Sequence, residues 1–195
     1  MAKSKNFGIK AILEIYNLKL LFNGAKLPLI ITSLIVVCFC VFDKVDKEII
    51  STVVDLVLSI IPSLLGFVLS GYALLIGFGN IEVIAKKPQQ KNGETSEKPT
   101  LYQKVSTVFA VGLIMQIFLL VFTFVLKLIL KIDLPCMNGV NWVCDVINYS
   151  VFAVLVFGLI YVTVMIKDLV VNIFNFSQVQ HFFINKQKEN DIGKN

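Results

Sequence analysis

The chain has 195 residues, of which 56% are apolar and 16% charged, with a mean hydropathy of +0.80. With long uncharged runs, that composition excludes a water-soluble globule and a disordered chain and marks an integral membrane protein. The formal charge of +5 rests on 18 Lys and no Arg; without a planar guanidinium fork the chain is poorly suited to nucleic acid or to bidentate phosphate recognition, and anionic lipid headgroups are the expected partner of its basic segments.

The first 24 residues predict a cytoplasmic amphipathic helix. Ile9, Ile12, Leu13, Tyr16 and Leu20 share one face, with Lys10, Glu14 and Asn17 opposite, a pattern suited to the headgroup region. Charges break this stretch too often for a secretory signal. Gly24 is the expected terminator. Residues 25–42 form the first candidate span, with Lys26 able to snorkel at its start, and Cys38 and Cys40 are read as small buried apolar side chains.

After a charged turn at 43–48, Ile49–Gly79 holds a single charge, Asp55, and a single proline, Pro62. One continuous helix of that length would measure about 46 Å, against about 30 Å of hydrocarbon. Proline removes a backbone donor and crowds the preceding turn, so the expected division is an outer-interface helix over 47–61 and a crossing over 62–81. A single tilted, kinked helix is the alternative. Thr52, Asp55, Ser59, Ser63, Gly66, Ser70, Ala73 and Gly77 recur at steps of three and four and so share one side of a helix. The seam Ser59–Ser63–Gly66–Ser70–Ala73–Gly77 is read as a close-packing face, or as the wall of a lumen if several copies assemble.

Residues 86–100 (KKPQQKNGETSEKPT) predict a polar cytoplasmic linker. Two uncharged spans follow, 105–126 and 146–166, separated by an extramembrane loop. Residues 186–195 are a polar tail expected to fray. With four crossings and both termini in the cytoplasm, the inner side carries five Lys before the first span, five from Lys86 to Lys104 and four from Lys167 onward; only Lys44, Lys47, Lys127 and Lys131 lie outside. The positive-inside bias therefore favours this topology, in the inner membrane of a bacterial cell.

Few residues could carry chemistry. Cys136 and Cys144 bracket a short loop on the oxidising side and are expected to form a disulfide. Asp55 falls at the outer headgroup level, where it is an interface charge, or the mouth of a conduction path; a buried proton relay would need it deeper. Gln116, midway along the third span, is expected to hydrogen-bond another helix or face a pore. His181 has no neighbours of metal-ligating type. No phosphate loop, dinucleotide fingerprint, zinc-protease helix or nucleophile elbow occurs, so no catalytic, cofactor-binding or metal-binding residues are assigned and no enzymatic activity is expected.

The sequence thus points to an all-α polytopic membrane protein, a four-transmembrane-helix bundle over residues 25–185 with flanking amphipathic helices. Two functional classes remain open. One is a homo-oligomer of pore, channel or membrane-permeabilising type. The other is a non-conducting accessory or scaffold subunit that anchors a soluble cytoplasmic protein partner.

Overall fold

The computed structural model describes residues 9, 12, 15, 16, 18–42, 44–78, 100–132 and 142–192. Four helices account for nearly all of them, and no strand occurs among the described residues. They are α1 (Leu18–Phe42), α2 (Lys47–Phe78), α3 (Leu101–Leu130) and α4 (Trp142–Ile192). In hydrocarbon a backbone group has no water to bond, so apolar runs of this length close their hydrogen bonds internally. Each of the four is long and apolar enough to cross a membrane, and the chain is a multi-pass helical membrane protein.

Local signals set the ends. Asp46 caps α2: its carboxylate accepts the Ile49 N–H at 2.9 Å, and Glu48 in the first turn complements the helix dipole. Thr100 and Gln103 form a reciprocal capping box at the start of α3, with bonds of 3.1 and 2.9 Å.

Three boundaries differ from expectation. The helix does not divide at Pro62: α2 runs unbroken for 32 residues, so residues 47–61 are not a separate helix. Its packing stripe explains this. Ile50, Val54, Val57, Ile61, Val68 and Leu75 are all buried, on both sides of the proline. Proline costs one backbone bond, whereas a break would strip a whole turn of partners in lipid and split that stripe. Gly24 likewise does not terminate a helix but lies within α1, and the chain bends instead at Tyr16. The tail expected to fray is helical as far as Ile192, which fits its run of Gln, Lys and Glu, all good helix formers, ahead of Gly193.

Few residues separate α1 from α2 in sequence, yet the two helices barely touch. Helices α2, α3 and α4 pack against one another, while α1 sits chiefly on α4. The core is layered. At the end near the α1–α2 turn, Ile50 and Val54 meet Leu126, Leu130, Phe152 and Leu155, and Phe39 of α1 lies on Phe152 with ring centroids 4.8 Å apart. Val57, Ile61, Leu119 and Val162 fill the middle. At the far end Val68 and Leu75 meet Val105, Phe109, Leu169 and Phe176. Phe176 is the last buried residue described on α4, which continues as a helix to Ile192. Before α1, Ile12 and Tyr16 fold back and pack with Val111, Met115, Tyr161 and Met165.

Candidate functional site

The small-residue seam of α2 faces outward. Ser59, Ser63, Gly66, Ser70, Ala73 and Gly77 are all exposed, and a Cβ built at Gly66 or Gly77 meets no atom within 4 Å. The opposite side of the same helix carries the buried aliphatic stripe. Close approach within the chain uses other glycines. A Cβ at Gly158 would come 2.7 Å from Leu119 Cδ1, and one at Gly71 would come 3.3 Å from Phe109 Cε1. Gly112 faces Leu169 and Met165 at ordinary contact distance. Intrachain packing therefore leaves the seam unused.

Two of the three seam hydroxyls bond to their own helix. Ser59 donates to the Leu56 carbonyl at 2.8 Å and Ser70 to the Gly66 carbonyl at 2.9 Å; Thr52 does the same to Glu48 at 2.9 Å. Such back-bonding to the preceding turn lets a hydroxyl reside in lipid or in a helix contact without water.

Asp55 lies on the exposed side of α2 and forms an ion pair with Lys127 near the end of α3. A second pair, Lys44–Asp145 at 3.7 Å, sits at the same end of the bundle. The first ties α2 to α3 and the second ties the α1–α2 turn to the start of α4.

Gln116 is 1% exposed, and its side-chain carbonyl has no hydrogen-bond partner. It therefore faces the interior of this bundle rather than a lumen between copies. Asn148 was not singled out from sequence. It is also 1% exposed, with neither side-chain polar atom hydrogen-bonded; the only hint was an amide near the start of an apolar run.

The two cysteine expectations fare differently. Cys144 is buried, and Cys136 lies outside the described residues, so the expected Cys136–Cys144 bond falls outside what the structure describes. Cys38 and Cys40, expected to be buried, are exposed on α1, because α1 packs chiefly on α4 and leaves much of its circumference outside. Among the described residues no three His, Cys, Asp or Glu side chains gather as metal ligands would. His181 is exposed, its ring 3.4 Å from the Asn185 amide.

Protein-family models, characterised proteins and solved structures give no match to this chain.

Two cavities are lined by described residues. One, of about 450 Å³, lies between α1, α2 and α4, with Ile35, Phe39, Leu56, Phe152 and Val156 in its wall; it is an apolar cleft in the lipid-facing surface. The other, of about 880 Å³, lies at the far end between the N-terminal segment, α1, α3 and α4. Its wall is mixed: Asn23, Lys104, Thr107, Lys167, Asp168 and Asn172 alternate with aliphatic side chains. Tyr16 also lines it. Burial, and then the Asp168 carboxylate, push the Tyr16 phenol above the ordinary tyrosine value of 10.0.

Proposed function

We propose that this chain is a homo-oligomeric membrane protein of the pore-forming or membrane-permeabilising class, in which copies meet along the outer face of α2. One observation carries the reading: six small residues at helical spacing on a spanning helix are exposed, and among the described residues nothing approaches a Cβ built at Gly66 or Gly77. Between helices in lipid there is no hydrophobic gradient, and close backbone approach across small residues supplies the packing that drives association. The bundle interior is filled by aliphatic and aromatic side chains, so a conduction path of this class runs between copies rather than through one. Asp55 would then stand at its rim, with the Lys127 pair holding it there. The orientation is the one that the Lys distribution favours, with both termini in the cytoplasm of a bacterial cell.

The test has two parts. Single cysteines at Ser63 or Ser70, in a background with the native cysteines replaced, should cross-link between copies in native membranes. Liposomes holding the assembled protein should release a small entrapped dye. Cross-linking without dye release would favour the non-conducting scaffold. Two observations support that second reading: the Ser59 and Ser70 hydroxyls satisfy themselves on their own backbone, and α4 continues to Ile192 as a helix on which a soluble partner could dock.

A further inference from the structure

The larger cavity lies on a different part of the molecule from the α2 seam, and its chemistry is specific. On α4 the uncharged run ends at Ile166, and on α3 it begins at Val105. The two helices are out of step. Gly112 packs beside Met165 and Leu169, which places Lys167 and Asp168 level with the neighbourhood of Gly112, about 10 Å further into the bundle than Val105. Charged groups at that depth need water or a counter-charge. The cavity provides the space for one. Lys167 is only loosely held by Asp168, at 3.6 Å, and Lys104, which also lines the cavity, is in no ion pair among the described residues. Lys104, Lys167 and Asp168 together leave one positive charge in excess. Asn23 and Thr107 add polar groups to the same wall. The aliphatic part of the lining, Leu27, Val108, Val164 and Val171, reaches the outer surface, since Leu27 is 55% and Val171 50% exposed. The cavity is thus a notch that opens sideways to lipid, with basic, polar and aliphatic groups together in its wall. Its size is at the upper end of ligand pockets.

We propose that this notch binds one anionic phospholipid, its phosphate between Lys104 and Lys167 and an acyl chain along Leu27, Val164 and Val171. The N-terminal segment closes the notch through Ile15 and Tyr16. Ammonium groups act as point charges rather than bidentate forks, so the site selects for negative charge and not for one particular headgroup.

The full-length protein, reconstituted in nanodiscs of equal parts phosphatidylglycerol and phosphatidylcholine, would be extracted into mild detergent and its retained lipid measured by native mass spectrometry. The expected result is one phosphatidylglycerol per chain and no stoichiometric phosphatidylcholine. K104Q/K167Q should reduce retention by about ten- to thirtyfold, the loss expected for two lysines near an anionic surface. K131Q, at the other end of α3, should leave retention unchanged. Equal retention of the two lipids by the wild-type protein would overturn the proposal without recourse to any variant. So would a loss in K131Q as large as in the double variant, which would indicate diffuse surface charge. Glycerol phosphate protecting the protein in purely phosphatidylcholine discs as well as phosphatidylglycerol does would also overturn it, by showing a soluble phosphate ligand instead of a lipid.

Discussion

At the scale of single residues, glycines separate the inner from the outer surface of the bundle. Gly158 and Gly66 are both helical and both lie in apolar runs, yet only Gly158 has a neighbour, Leu119, closer than an added Cβ would tolerate. Gly158→Ala should therefore destabilise the fold by about 1–3 kcal/mol, the usual range for overpacking, moderated by how far the Leu119 side chain can move. Gly66→Ala should change the stability of the isolated chain by no more than about 0.5 kcal/mol. Unfolding in mixed detergent under conditions that keep the protein monomeric would compare them, and a larger loss in Gly66→Ala would contradict the packing described. Tyr16 gives a second test at this scale. Its protonated form is favoured in the folded state by burial and by Asp168. Docking of the N-terminal segment is thus fully supported below the ordinary tyrosine value of 10.0 and is lost as pH rises through the higher folded value. Phenolate absorbance, compared between wild type and Tyr16→Phe, should assign to Tyr16 a titration above that value, moving down in Asp168→Asn. A Tyr16 titration at or below the ordinary value would exclude the docked position.

At the scale of elements, the ion pair between Asp55 and Lys127 joins α2 to α3 close to the end of the bundle. Asp55→Lys or Lys127→Asp alone places like charges opposite each other and should cost about 1 kcal/mol, and the exchanged double variant should recover most of it. A thermal melt of the four proteins in nanodiscs closes that cycle, and additive losses would show that the pair does not couple the helices. The elements also show what sequence can and cannot convey. The four crossings were legible because hydropathy and Lys placement depend on the membrane, not on the partners of each helix. The unbroken α2 was not, because local proline chemistry argued for a break, while the aliphatic stripe that spans Pro62 takes effect only once α3 and α4 are in place. The side of α2 that faces the bundle was equally hidden. Its two opposite stripes, one aliphatic and one small, share the same period, and lipid sets no hydrophobic gradient to rank them. The polar notch escaped notice for a similar reason. Lys104 and Lys167 each read as the ordinary charged end of a span, and only the stagger of α3 against α4 brings them onto one cavity.

At the scale of the whole molecule, the bundle has a filled interior and three outward features: the α2 seam, the basic notch, and the C-terminal part of α4. The seam and the notch are carried by different elements, α2 for the first and α1, α3, α4 and the N-terminal segment for the second. Assembly through the seam therefore leaves the lipid site open, and the two can be disturbed independently. The central claim is that the seam is a contact between copies. It is tested most directly by the number of chains per particle in nanodiscs large enough to hold several, measured by native mass spectrometry for the wild type and for a Gly66→Leu/Ala73→Leu variant. The account predicts a discrete oligomer for the wild type that falls to single chains in the variant, with helical content unchanged. A wild-type protein that remains a single chain per particle at high protein-to-lipid ratio would contradict it.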